Sequence, residues 1–349
     1  MDSCNSCEFG YYLGIVTFYE DDKKSIKFLR DHGVLPKCVK CPFCNKKCVY
    51  NESLNIWRCR NIFLLPKSKK RRFCNFSISD FKGTLLETRS TSLPPWKIIQ
   101  FCNHYLSQQW DHKTIKNCLG MTPCTILELQ SLCSEVMQEW ISKQEPIGGY
   151  GVEIEINKIV VPLNQGLSQI KLLSGVERIS QQNFVVVLNE EEHQENCLPL
   201  IQRYVKPGSV IYSEILDESG YLSSLGYVHI TVNYSENNVT ELGSIKKLQR
   251  AIKIHIKRVE STGKDMNHHI ARFKFISSIK NKKELLHQFF TEVGKCYPPF
   301  SNKRNRNFYQ GNTDSDKQLT ICKETNSDEE FIEFSQRDDD EELAGTDSD

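Results

Sequence analysis

The sequence has no apolar run approaching the ~20 residues needed to span a bilayer. It also lacks a basic start followed by an apolar stretch: Met1 to Cys7 holds one acid and two cysteines instead. Neither a secretory leader nor a membrane span is expected. The serines and histidines fall in no Gly-x-Ser-x-Gly or His-Glu-x-x-His context, which removes two common hydrolase arrangements. Net charge is nearly absent as well, at +1, but that value hides an asymmetry. Residues 301–349 hold six Lys/Arg against fourteen Asp/Glu, a net of −8, which leaves about +9 on the first 300 residues.

What the chain does have is length for two or three domains, at 349 residues, and 39% hydrophobic residues with which to build their cores. It has fifteen cysteines. In a chain with no expected leader these read as reduced thiols, some of them metal ligands, rather than as a disulfide framework. Cys41-Pro42-Phe43-Cys44 lets two sulfurs converge from one tight turn, and Cys59 and Cys74 complete a tetrahedral zinc set from the opposite hairpin. The gap between Cys59 and Cys74 is long for a ribbon. Cys38 and Cys48 are rival ligands, and Cys4-x2-Cys7 is a second half-site.

Residues 37–72 carry eleven Lys/Arg against one acid, Glu52. Such an excess beside a folded module is the footprint of a polyanionic partner. Lys67, Lys69, Lys70, Arg71 and Arg72 also form a nuclear-import type of cluster.

The chain divides by pattern. Residues 1–34 form a mixed N-terminal segment with a short helix at 25–32 before Gly33, and 35–85 are the zinc ribbon. Segment 92–142 reads as three helices. The first opens at Pro94-Pro95 and runs to about residue 108, and the second spans 112–119 before Gly120. The third starts at Thr122-Pro123 with Ile126, Leu129, Leu132, Cys133, Val136 and Trp140 on one face. This is a helix-turn-helix pattern, with a plain helical linker as its alternative. Pro146 and Gly148-Gly149 mark a boundary. Beyond it strands are expected at 152–156, 170–175, 184–188, 210–212 and 229–232, with helices at 193–204, at 216–225 and from 242 onward. That is an α/β domain with one mixed sheet over 150–300. The tail 301–349 is acidic and expected to be disordered.

Several phrases in order resemble a known family. Cys-Pro-x-Cys, Trp57-Arg58-Cys59, a later Cys and Phe81-Lys82-Gly83-Thr84 are similar to the N-terminal ribbon of Merlin-type DNA transposases and their insertion-sequence relatives. Val152-Glu153-Ile154-Glu155 resembles the first catalytic strand of that family, and Ser174-Gly175-Val176-Glu177-Arg178 its second. Residues 204–214, from Tyr204 to Glu214, are similar to the strand carrying the second acid. Gly226-Tyr227-Val228-His229 through Asn237 resembles the segment before the third, and 269–298 the closing helix.

The resemblance implies a ribonuclease H-like domain. There, three carboxylates hold two divalent metals for in-line phosphoryl displacement. Aligned by phrase, the first Asp falls on Glu155, the second on Glu214 and the third acid on Lys246. Each Glu moves its carboxylate by roughly 1 Å, against a tolerance of about 0.5 Å, and Lys246 brings a cation to a cation site. The resemblance therefore implies a domesticated transposase that keeps structural zinc, binds DNA in the nucleus and has no catalytic residues. The acidic tail would recruit chromatin or nuclear proteins. Two alternatives stand beside it. One is an active Mg²⁺-dependent transposase or nuclease using Glu155, Glu214 and another acid, Glu236 or Glu241. The other is a protein-interaction module without DNA binding.

Overall fold

The computed structural model describes residues 7–64, 71–87, 93–107, 112–163, 168–188, 197–214, 219–232, 242–259 and 266–300. The acidic tail, Cys4, Glu236 and Glu241 lie outside them.

Two helices come first, α1 (Tyr11–Phe18) and α2 (Asp22–Asp31). Helix α2 starts three residues before the expected 25–32 because Asp21 caps it: its carboxylate accepts the Lys24 amide at 2.9 Å. Gly33, with φ +72°, ends it. The cysteine-rich segment then forms β1 (Val49–Asn51), β2 (Ile56–Arg58), β3 (Ile62–Leu64), β4 (Arg71–Phe73) and β5 (Ser77–Ser79). Strands β1, β2 and β5 make a three-stranded antiparallel sheet, and β3–β4 is a separate antiparallel hairpin.

The three helices of the next segment are α3 (Pro95–Leu106), α4 (His112–Leu119) and α5 (Pro123–Ser142). Proline at the first position of α3 and α5 gives up an amide that has no helical partner there. Thr122 caps α5 by accepting the Thr125 amide at 3.3 Å.

After β6 (Ile147–Gly148) come β7 (Glu153–Leu163), β8 (Ser168–Glu177), β9 (Asn183–Val187), α6 (Leu198–Tyr204), β10 (Val205–Lys206), β11 (Val210–Ser213), α7 (Ser219–Ser224) and β12 (Val228–Thr231). Five of these strands make one mixed sheet in the order β12-β11-β7-β8-β9. The first three in sequence, β7, β8 and β9, run antiparallel, and β11 then returns parallel to β7 with β12 parallel beside it. Helices α8 (Gly243–Val259), α9 (Met266–Ser278) and α10 (Leu285–Cys296), with a 3₁₀ turn at Lys282–Glu284, are the last elements among the described residues.

Strand β7 shows how the sheet is layered. Ile154 and Ile156 point into a core with Ile201, Val205 and Leu222 on the α6–α7 side. Ile159 and Val161, of the opposite parity, pack on Ile252, Ile256 and Ile270 of α8 and α9. Both faces are thus covered.

The helices expected as a separate 92–142 segment share one large core with the first two and the last two described helices. Phe18, Phe28 and Leu29 join Phe101, Leu129 and Met137, and these join Phe275, Phe289 and Phe290. Helices α9 and α10, placed with the 150–300 domain in the sequence, complete this helical core. Periodicity reveals that a helix face is apolar but not which partner covers it. Helix α9 is the connector, with Arg272 donating to the carbonyls of Tyr105 (2.6 Å) and Ser107 (2.7 Å) at the end of α3. On the sheet side, Lys274 donates to Asn183 at 3.1 Å, and burial pushes its ammonium down to about 8.

Candidate functional site

The cysteine module is built by two turns. Around the first, the Asn45 amide donates to Cys41 O at 2.9 Å and the Cys41 amide to Lys46 O at 2.9 Å, with Asn45 at φ +52°. This folds Cys41 and Cys44 to one side. The second turn is the β3–β4 hairpin inserted between Cys59 and Cys74. It closes the long gap, so that the Cys74 amide donates to Asn61 O at 2.9 Å while the Cys59 amide donates to Phe76 O at 2.9 Å.

The four sulfurs expected from the sequence come together. Cys41 Sγ lies 3.4 Å from Cys74 Sγ, Cys44 Sγ lies 3.3 Å from Cys59 Sγ, and all four are within 4.8 Å of one another. A tetrahedral zinc with Zn–S near 2.3 Å spaces its sulfurs by about 3.8 Å, so this buried thiol set fits a metal such as zinc. Burial pushes the Cys41 and Cys59 thiols up. Burial acts on Cys44 in the same direction, but the Lys46 amide and the neighbouring thiols outweigh it and hold this thiol below the usual range. Among the described residues, Cys38 and Cys48 stand outside the quartet.

The module docks on α2 through a contact with no sequence signal. Buried Asp80 accepts Trp57 Nε1 at 2.6 Å and Arg30 Nη2 at 2.7 Å, and the Arg30 guanidinium lies 4.2 Å from the Tyr50 ring centroid.

In the sheet, Glu155 sits on β7 opposite Tyr212 of β11, Glu214 directly follows β11, and Lys246 lies in the first turn of α8. Glu155 is 2% exposed, and both its oxygens are engaged. Arg178 Nε donates to Oε1 at 3.0 Å, and the Ile245 amide, at the N-terminus of α8, donates to Oε2 at 2.8 Å. The carboxylate therefore serves as a helix anchor with its charge matched. Arg178 also reaches Glu153 at 3.2 Å and stacks 3.8 Å over Tyr212, whose hydroxyl donates to Glu153 at 3.1 Å. Burial first, and Glu153 second, push the Tyr212 phenol up.

In the sequence Arg178 is only the end of a strand phrase; its role follows from the β7–β8 register, in which its amide bonds Glu153 O at 3.1 Å. Arg178→Ala leaves a buried carboxylate with only one partner. It is expected to cost about 3 kcal/mol, read as a lower denaturation midpoint, whereas Glu153→Gln at the exposed end of the network stays within about 0.5 kcal/mol. Equal small effects in both variants would remove Arg178 as the partner that balances Glu155.

The basic groups divide between two places. Arg71 is exposed on β4, while Lys67, Lys69 and Lys70, which lie between β3 and β4 in the chain, and the Arg72 side chain are outside the described residues. Helix α8 contains no acid, and Lys247, Arg250, Lys253 and Lys257 are distributed along it at three- and four-residue spacing. By contrast α5, the third helix of the helix-turn-helix pattern, has no Lys or Arg and buries most of its residues from Leu129 to Met137. Among the described residues no helix is long and apolar enough to cross a membrane.

No protein-family model matches the chain, and no curated protein does. Among solved structures it is similar to the catalytic core domain of BIV integrase, with 16% identity over 36% of this chain and 81% of that one and a TM-score of 0.27. It is also similar to the simian T-cell lymphotropic virus intasome solved with PP2A regulatory subunit B56 gamma, with 15% identity over 46% of this chain and 64% of that one and a TM-score of 0.29. This chain thus spans under two thirds of the second neighbour. At these scores neither likeness assigns an activity or a partner.

Proposed function

We propose that this chain is a transposase-derived DNA-binding protein of the Merlin type, with a ribonuclease H-like domain that no longer performs strand cleavage. The strand arrangement supports the fold assignment: three antiparallel strands followed by two parallel ones, ordered fifth-fourth-first-second-third across the sheet. The first acid of such a domain belongs on the central strand, where Glu155 stands. The second belongs at the end of the adjacent parallel strand, where Glu214 stands.

One observation carries the loss of chemistry: the Glu155 carboxylate is closed by Arg178 and by the start of α8. A divalent ion needs that carboxylate free, and Arg178 sets a fixed positive charge against it. The residues present do not fit paired Mg²⁺.

Binding is supported by charge. The acid-free stripe of α8 and the basic residues 67–72 suit a phosphate backbone, and a four-thiolate ribbon holds the hairpin that connects to them. Nuclear localisation follows from the same basic cluster, and recruitment of nuclear proteins by the acidic residues 301–349 belongs to this reading. Duplex binding measured from low to moderate salt tests it. Replacing Lys69, Lys70, Arg71 and Arg72 with Ala is expected to weaken binding and to flatten the salt slope by about 0.9 for each phosphate no longer neutralised. The same holds for a variant of α8 lacking Lys247, Arg250, Lys253 and Lys257. Binding that is absent, or indifferent to salt, sinks the proposal in favour of a protein-interaction module.

A further inference from the structure

A second cluster of side chains able to ligate a metal lies apart from both sites described above. Cys7 precedes α1, His32 follows α2, and His287 is in the first turn of α10; the two histidines are separated by 255 positions in the chain. Cys7 Sγ is 3.2 Å from His32 Nε2 and 3.2 Å from His287 Nδ1, and the two nitrogens are 2.9 Å apart. We propose that Cys7, His32 and His287 hold a divalent transition metal, zinc by its donor chemistry, with solvent water as the fourth tetrahedral ligand, and that it staples the N-terminal segment to the last helix of the core.

The orientation of His32 supports this. Its Nδ1 lies 2.6 Å from the Phe28 carbonyl. A carbonyl only accepts, so Nδ1 carries the proton and the Nε2 lone pair faces the other two donors. A ligating histidine is held in its tautomer in this way. Around zinc, two nitrogens are spaced by about 3.3 Å and a nitrogen–sulfur pair by about 3.6 Å. The three observed separations are within a few tenths of an ångström of these. Binding releases the Cys7 thiol proton to solvent and leaves a neutral imidazole at each histidine.

The surroundings fix the geometry from three sides. The Phe9 amide donates to Lys283 O at 2.7 Å, holding the Cys7 segment to the turn before α10. Phe28 packs on His32 with ring centroids 4.0 Å apart. At Gly294 a Cβ would stand 2.5 Å from His32 O, so only glycine lets α10 come close enough to bring His287 against His32. Cys4, at Cys-x2-Cys spacing, lies outside the described residues, and the proposal rests on the three described donors.

Elemental analysis of the full chain, purified without chelator, tests this. Two zinc equivalents are expected, and the cobalt-substituted protein is expected to show a mixed nitrogen–sulfur component beside an all-sulfur one. Both readings use the wild type and hold whether or not a variant folds. In Cys7→Ser/His287→Gln the mixed component and one equivalent should disappear while the all-sulfur component stays. Cys44→Ser should do the reverse. One equivalent in the wild type, or two retained in Cys7→Ser/His287→Gln, overturns the proposal. Neither outcome bears on DNA binding.

Discussion

Cys44→Ser is expected to abolish metal binding at the four-cysteine cluster and to unfold residues 38–79 while leaving the helical core intact. The reason is size. Strands β1, β2 and β5 have three residues each, and a sheet that small buries too little to offset its own ordering. Structural zinc contributes about 10–16 kcal/mol in isolated finger modules, more than the whole stability of many domains. Asp80 ties the module to α2 through Arg30, but its own core of Val39, Trp57 and the four cysteines is a cluster separate from that of Phe18, Phe101, Leu129 and Phe289, to which the ends of the segment contribute Leu35 and Leu85. Limited proteolysis should therefore cut the variant, or chelator-treated wild type, within 38–79 and spare the helical core. A loss of Trp57 burial should accompany it. Protection unchanged in both samples would mean that the ribbon folds without metal.

The second large effect expected is a loss of metal-dependent strand cleavage. A two-metal mechanism needs a compact, strongly negative pocket that clamps ions about 3.5–4 Å apart. Here the central carboxylate is already matched by a guanidinium and by a helix N-terminus. An ion entering at Glu155 would have to displace Arg178 and leave the Ile245 amide without its acceptor, at a cost of several kcal/mol for buried groups. Lys246, next to Ile245 on the same helix turn, adds a positive charge. Glu155, Arg178 and Lys246 act in the same direction, so a loss of metal binding is expected rather than a slower rate.

Much of this is legible in the sequence where chemistry or periodicity is local. Cys41-x2-Cys44 and Trp57-Arg58-Cys59 announce the quartet, and the Pro-led helices α3 and α5 start where their prolines stand. The five sheet strands fall on their β-branched runs. What fails to show is what depends on register and on long-range packing. The three-residue strands β3 and β4 have no period to detect, so the Cys59–Cys74 gap looks like a defect in the sequence when it is a hairpin. The pairing of Arg178 with Glu155 needs the β7–β8 alignment, Glu155 opposite Val176, which no single-strand pattern contains. The helix-turn-helix pattern is right about helix positions but silent about the burial of α5. Likewise α9 and α10 carry apolar faces that fit a sheet as well as a bundle, and only the fold assigns them to the bundle and brings His287 to His32.

The most direct measurement incubates the wild-type protein with DNA that it binds, in Mg²⁺ and separately in Mn²⁺, beside Glu155→Ala/Glu214→Ala, and follows strand cleavage and joining on denaturing gels. Intact DNA in every lane, with binding retained, is the result expected of a transposase-derived binder. Cleavage by the wild type that disappears in Glu155→Ala/Glu214→Ala contradicts it and makes the chain an active enzyme.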